Sequence, residues 1–245
     1  MALEIHTVPC LEDNYAYLVH ETTSGATAAI DPSESGPVLA ALKLRGWKLG
    51  TVWNTHHHWD HTGGNTELAR ATGCRVVCSA HDRDRVPGCT DTVEDGGEIG
   101  LGAARAGVFA VPGHTLGAVA FWFPQAAVLF TGDTLFGAGC GRLFEGTPTQ
   151  MFHSLQLLAA LAPQTRVYCG HEYTVANLEF AAHLEPGNTD VAARLQTATR
   201  LRSRGLPTVP STIGEERQTN PFLRAPSIDA FAERRALKDG FRASR

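Results

Sequence analysis

No stretch of about 18 consecutive apolar residues occurs, so nothing in the chain is expected to span a membrane. Met1-Ala2-Leu3-Glu4 has no basic segment leading into an apolar run, so no secretory leader is expected and the chain reads as cytoplasmic. Its six cysteines (Cys10, Cys74, Cys78, Cys89, Cys140 and Cys169) are scattered, without the paired C-x-x-C spacing of a structural zinc site. Free, mostly buried thiols acting as small packing residues are the expectation. There is no internal repeat, no low-complexity tract, and no serine or cysteine arrangement that demands a covalent nucleophile. A large basic excess is also missing. The net charge of −4 argues against strong polyanion binding, so no nucleic-acid partner is expected.

What is present is material for a core and for many tight turns: 43% hydrophobic residues, 25 glycines and 13 prolines in 245 residues. Short β-rich runs punctuate the first two thirds: Leu3–Val8, Tyr15–His20, Ala26–Ile30, Thr51–Asn54, Arg75–Cys78, Gly107–Val111, Val119–Phe123, Ala127–Thr131 and Arg166–Cys169. Amphipathic stretches at Pro37–Arg45, Asn65–Ala71 and Thr149–Leu161 lie between some of them. This alternation predicts a layered α/β domain over residues 1–173. After Tyr173 the texture becomes helical, with Thr174–Leu184, Thr189–Ser203 and Ile228–Asp239 separated by a Pro-Gly breaker and the Pro-containing stretch Leu206–Pro226. Residues 174–245 therefore read as a small all-helical domain. Charge follows the same division: residues 1–173 carry a net −7 and residues 174–245 a net +3, which suits local docking of something anionic.

The decisive segment is Thr55-His56-His57-His58-Trp59-Asp60-His61, after a strand and before Thr62-Gly63-Gly64. In extended backbone, side chains two apart point the same way, so His56 and His58 can share one metal while His57 faces away. The turn that follows can bring Asp60 and His61 to a second metal, and the glycines let the backbone pass close by. Three more candidates, His114, Asp133 and His171, each sit where a strand ends in a Gly-containing turn. His56, His58 and His114 would hold one ion, and Asp60, His61 and His171 the other, with Asp133 bridging. Imidazole and carboxylate suit two divalent ions, zinc first, with iron or manganese as alternatives. His6, His20, His81, His153 and His183 lack such a setting and read as ordinary.

The H-x-H-x-D-H segment and its three downstream ligands resemble the metallo-β-lactamase superfamily, which implies a four-layer αββα sandwich but leaves the substrate open. The rest of the chain resembles the glyoxalase II, or hydroxyacylglutathione hydrolase, family. The resemblance runs nearly end to end, through Pro9-Cys10-Leu11-Glu12-Asp13-Asn14-Tyr15, Gly139-Cys140-Gly141-Arg142-Leu143-Phe144-Glu145-Gly146, Gly170-His171-Glu172-Tyr173-Thr174, Asn220-Pro221-Phe222-Leu223-Arg224 and Arg235-Ala236-Leu237-Lys238-Asp239. It implies that Arg142, Phe144, Tyr173, Arg235 and Lys238 bind the glutathione moiety. Eukaryotic members often carry Lys and Tyr at the first two of these positions; Phe144 donates no phenolic hydrogen bond, and the planar fork of Arg142 is not a lysine.

The implied reaction is hydrolysis of S-D-lactoylglutathione to D-lactate and glutathione. Water bridging two divalent ions loses a proton readily, since one zinc alone brings its pKa from about 16 to about 7. Asp60 and Asp133 would act as the catalytic carboxylates around it. The leaving thiol, with a pKa of about 8.5, needs little help from an acid. The expected partner is a small glutathione thioester, with no nucleic acid and no membrane, and the chain acting as a monomer. The alternatives are a glutathione persulfide dioxygenase using one iron, which would leave Asp60, His61 and His171 idle, or another hydrolase of the same fold.

Overall fold

The turn-separated runs of the sequence become the strands of a computed structural model that describes residues 2–242. The chain divides into two compact units. One runs through Ala110 and resumes over Gly117–Gly132; the other takes Val111–Leu116 and the described residues from Asp133 on.

In chain order the first unit contains β1 (Leu3–Cys10), β2 (Asn14–Glu21), β3 (Ala26–Ile30), α1 (Ser35–Arg45), β4 (Leu49–Trp53), α2 (Trp59–Thr62), α3 (Asn65–Thr72) and β5 (Arg75–Ser79). It continues with β6 (Asp91–Val93), β7 (Glu98–Leu101), β8 (Ala104–Ala110), β9 (Val119–Phe123) and β10 (Val128–Gly132). β1 to β6 form one sheet in sequence order, antiparallel from β1 to β3 and parallel from β3 to β6. β7 to β10 follow as an antiparallel meander.

The period of two in these strands decides which side chain faces which layer. Ala16 and Leu18 of β2 and Val52 of β4 join Val38, Ala41 and Leu42 of α1 and Leu68 of α3 in one apolar cluster. The alternate residues point at the other sheet. The Trp53 ring lies 5.3 Å from Phe121 and 5.9 Å from Phe123, and Tyr17 lies 5.5 Å from Phe130. Strands covered on both faces read as continuous apolar runs, which is why Ala28-Ala29-Ile30 and Val52-Trp53 are almost wholly inaccessible.

The second unit holds β11 (Leu135–Phe136), β12 (Gly139–Cys140), α4 (Pro148–Ala159), β13 (Arg166–Cys169), α5 (Thr174–Leu184), α6 (Thr189–Arg202), β14 (Ser211–Thr212), α7 (Ile213–Thr219) and α8 (Ile228–Gly240). α4 opens on a capping box in which Thr147 and Gln150 satisfy each other's backbone amides. α5 and α6 bury Leu178, Ala181, Val191 and Ala198 around Ala138. Phe231 of α8 packs 6.2 Å from Phe152 of α4. The stretch Leu206–Pro226, expected only to contain prolines, also forms β14 and α7. α7 buries Ile213, Glu216 and Thr219, and Glu216 is bound at 2.6 Å by Arg194. A helix whose buried face is two-thirds polar carries little apolar periodicity to read. No described helix is long and apolar enough to cross a membrane.

Glu21 closes the β2–β3 hairpin. It is fully buried, and accepts hydrogen bonds from Ser24 Oγ at 2.6 Å, from the amides of Thr23 and Ser24 at 2.8 and 2.9 Å, and from Ala103 N at 3.3 Å in the β7–β8 turn. These donors, the Ser24 hydroxyl first, hold its carboxyl down at about 2. A carboxyl lowered by folding stabilises above its unfolded value and loses that contribution as pH falls through the folded one. The stability gap between the wild-type protein and Glu21→Gln, measured by urea unfolding, should therefore be largest near neutrality and shrink between about pH 4.5 and 2. A gap that stays flat over that interval would show that the charge of Glu21 is not what the hairpin uses.

Candidate metal centre

β4 ends at Trp53, and the chain runs through the histidine segment into the single turn of α2. His56 and His61 are buried, while His58 and Asp60 are partly exposed. His56 Nε2 stands 3.1 Å from His58 Nδ1, and His61 Nε2 stands 3.7 Å from Asp60 Oδ2. Two ligands bound at about 2.0–2.1 Å to one tetrahedral ion lie roughly 3.3 Å apart, so both spacings suit a shared cation.

The tautomers follow from fixed partners. The Thr55 hydroxyl donates to Asp31 Oδ2 at 2.6 Å, so toward His56 Nδ1, at 3.1 Å, it can only accept. His56 therefore carries its proton on Nδ1 and offers the Nε2 lone pair. Asp31 Oδ2 likewise accepts from His61 Nδ1 at 3.1 Å, which turns the His61 Nε2 lone pair toward Asp60. Asp31, His56 and His61 also bring donor atoms within 4.8 Å of one another. Asp31 is nevertheless not a ligand in this reading. Its Oδ1 is taken by the Thr55 amide at 2.7 Å and its Oδ2 by Thr55 and His61, which makes it the orienting carboxylate behind a ligand. Asn14 plays a similar part, donating to Asp60 O at 3.0 Å and Asp60 Oδ2 at 3.1 Å. His57 leaves this cluster, as the alternation implies: Asp82 Oδ2 lies 3.1 Å from its Nδ1 and Arg85 donates to its Nε2 at 2.5 Å.

The second unit presents its own convergent set. His114 gives its Nδ1 proton to the Arg142 carbonyl at 2.9 Å, leaving Nε2 to face Asp133 Oδ2 at 3.5 Å. His171 Nε2 approaches the same oxygen at 3.2 Å. One carboxylate oxygen thus stands within 3.5 Å of two imidazole nitrogens. The turn into Asp133 depends on Gly132, whose φ is +48°; a Cβ there would fall 2.2 Å from Thr55 Oγ1. At the α2–α3 junction, a Cβ on Gly63 would fall 2.5 Å from Ser33 O.

The substrate candidates, all in the second unit, fall into two groups. Tyr173 stacks on His171, with ring centroids 4.7 Å apart and nearly parallel planes, and Phe144 meets His114 edge-on at 5.3 Å. Both rings are exposed, as is Arg142. Arg235 is different: only 6% exposed, it donates to Cys140 O at 2.9 Å and Asp239 Oδ1 at 2.9 Å, with its guanidinium over the Phe222 ring. Its bond to Cys140 O ties it to the chain that leads into Arg142. Lys238, half-buried, donates to Ala176 O at 2.8 Å beside the Phe180 and Phe241 rings. Burial, then Arg235 and Arg142, pull its ammonium down to about 8. Cys140 and Cys169 are pushed up by burial, to about 11 and about 12, and so serve as packing residues rather than nucleophiles.

Asn14, Asp31, Thr55 and Asp82 were not found from sequence as supporting residues. The only signals were a strand run ending in Asp31-Pro32 and a polar residue opening the Asn14-Tyr15 strand. Removing the orienting carboxylate with Asp31→Asn should weaken divalent-metal affinity by about 10–100-fold in a competition titration. Unchanged affinity would assign Asp31 to folding alone.

Two family models divide the chain: Metallo-beta-lactamase superfamily over residues 12–171 and Hydroxyacylglutathione hydrolase C-terminus over residues 172–241. A protein of Methylococcus capsulatus named hydroxyacylglutathione hydrolase is 54% identical over 254 residues, covering 98% of this chain and 99% of its own. Among solved structures, ETHE1 from Myxococcus xanthus superposes with a TM-score of 0.74 at 24% identity, covering 100% of this chain and 93% of its own, a likeness of fold. TTHA1623, solved in a di-iron-bound form, has a TM-score of 0.65 at 27% identity and covers 89% of this chain and 99% of its own. The α/β fold anticipated from the sequence is that of the metallo-β-lactamase superfamily, the helical C-terminal region matches the hydroxyacylglutathione hydrolase C-terminus, and this chain belongs to the hydroxyacylglutathione hydrolase family.

Proposed function

We propose that the protein hydrolyses the thioester S-D-lactoylglutathione to D-lactate and glutathione, with residues 1–173 as the catalytic domain and 174–245 as the substrate-binding domain. The observation that carries the chemistry is Asp133 Oδ2 poised between His114 and His171. The substrate class follows from the family: the 54% identical relative is named hydroxyacylglutathione hydrolase and matches along nearly its whole length, and S-D-lactoylglutathione is a thioester of that class.

The donor set fits divalent ions. It is all imidazole and carboxylate, and its spacings within each unit run from 3.1 to 3.7 Å. His56, His58 and His114 would hold one ion and Asp60, His61 and His171 the other, with Asp133 shared. When bound, such ions act as Lewis acids, easing ionisation of water and polarising a carbonyl. The di-iron form of TTHA1623 supports two ions, with zinc the first candidate and iron or manganese the alternatives.

The chain's residues supply the rest. Asp60 and Asp133 orient water for attack on the thioester carbonyl carbon and accept its proton. The C–S bond then breaks to release a thiolate whose pKa of about 8.5 requires no acid partner. Phe144 and Tyr173 offer exposed aromatic faces to the acyl-glutathione chain, Phe144 through van der Waals contact alone. Arg142 and Lys238 supply cations for its carboxylates. Arg235 serves the same site by holding the Cys140 carbonyl.

The fully metallated protein should turn over S-D-lactoylglutathione, lose activity on chelation and regain it with added divalent metal. Absence of turnover with both ions present would defeat the substrate assignment and leave the fold standing. The charge of Lys238 is present below about pH 8 and lost above it, so kcat/KM should fall on that alkaline side. Lys238→Ala should raise KM roughly tenfold, about 1.4 kcal/mol of charge-assisted contact, with kcat nearly unchanged and the alkaline fall abolished. An unmoved KM would remove Lys238 from the docking set.

A further inference from the structure

Away from the ligand cluster, the first unit brings two thiols into direct contact. Cys78 Sγ and Cys89 Sγ are 2.8 Å apart, at the two ends of the segment that connects β5 to β6. Cys78 is inaccessible, whereas Cys89 is partly exposed and also reaches Asp91 O at 3.3 Å. The backbone around them is firmly registered. Val76 O accepts from Thr90 N at 2.8 Å, Val76 N donates to Thr90 Oγ1 at 3.1 Å, and Cys78 lies opposite Thr92 in the parallel pair. A disulfide needs sulfurs about 2.05 Å apart, so closing this pair takes a sulfur displacement of under about 1 Å.

We propose that Cys78 and Cys89 form a modification site, a dithiol that low-molecular-weight disulfides such as oxidised glutathione convert to an intramolecular disulfide. Cys89, the accessible member, attacks one sulfur of the oxidant and releases its proton to water, and a glutathione thiolate departs. Cys78 Sγ then attacks Cys89 Sγ, breaking the mixed disulfide; the second thiolate leaves and takes up the Cys78 proton. Two protein thiols are oxidised and one small disulfide is reduced to two thiols. Accessibility makes Cys89 the point of entry, and the buried Cys78 sulfur 2.8 Å behind it the resolving group.

The segment this bond would close has content. It carries Asp82, fully buried, and Arg85, the two groups that grip His57 between His56 and His58. Asp82 also receives His81 Nδ1 at 3.2 Å and faces Arg85 NH1 at 3.7 Å. Tying the ends of that loop restrains the unfolded chain and fastens the base from which both grips project.

The test uses the intact protein. After incubation with oxidised glutathione, free thiols are blocked with N-ethylmaleimide and the digest is read by mass spectrometry. Thermal unfolding is followed in parallel. The expected result is a Cys78–Cys89 peptide pair lighter by its two thiol hydrogens, reopened by dithiothreitol. The Tm should rise by roughly 5 °C in the oxidised form. Cys89→Ser should show neither change. Recovery of both residues as maleimide adducts, or of Cys89 as a persistent glutathione adduct with Cys78 still free, would overturn the proposal. So would a linked pair whose formation leaves the Tm unmoved, since the loop would then not be restrained.

Discussion

One buried carboxylate decides how the first half of the metal centre points. Asp31 lies at the end of β3 with φ +47°, a backbone region that non-glycine residues occupy at a cost and usually only where the surroundings enforce it. There its two oxygens take the Thr55 amide, the Thr55 hydroxyl and the His61 imidazole. Through the hydroxyl it sets the proton of His56, and directly it sets that of His61. With both Nδ1 atoms occupied, the two Nε2 lone pairs can only face the ligand cluster. Histidines not held in this way could rotate or exchange tautomers, and an ion would have to pay for their ordering. A residue of positive φ thus stands directly behind two of the proposed ligands.

The second unit applies the same logic with a backbone group. The Arg142 carbonyl fixes the proton of His114, and the loop that contains it is held from several sides. Glu216 accepts from the Ala138 amide at 2.8 Å and from Arg194 at 2.6 Å; Asn220 donates to Gly139 O at 2.9 Å and Asn177 to Gly137 O at 3.0 Å. Arg235 adds its bond to Cys140 O. A buried Arg–Glu pair is weak evidence of net stability, because two charges must be desolvated to form it. Here it does something more specific, since each partner's remaining hydrogen bonds go to the loop or to the helix ends that hold it. The helical residues therefore reach the chemistry through the shape of one hairpin and the orientation of one imidazole.

How much of this was legible depends on whether the information is local. His56, His58, Asp60 and His61 are close in sequence, and His114, Asp133 and His171 each follow a strand that ends in a glycine turn, so all seven could be read as candidates. Their supporters could not. Asp31 is 24 residues from Thr55 and Asn14 is 46 from Asp60, and neither shows a spacing pattern of its own. Arg235 was legible as a cation of the C-terminal signature, but its burial against Cys140, 95 residues away, was not. Among the elements, long apolar strands were found and short ones were missed: Asp91–Val93 and Glu98–Leu101, three and four residues long, are too short to show a period. α7 escaped because the residues it buries are Ile213, Glu216 and Thr219, a pattern that becomes visible only once Arg194 is in place opposite.

The close approach of Gly132 to Thr55 also bears on how such a centre can change over generations. A methyl group at 132 would overlap the very hydroxyl that orients His56, so space and proton placement are joined in one atom pair. Shrinking residue 55 to make room would abolish the hydroxyl's bond to Asp31, and keeping the hydroxyl forbids any side chain at 132. Neither position can drift by itself; an ancestor's choice at one closes the other, and the lineage is committed to both.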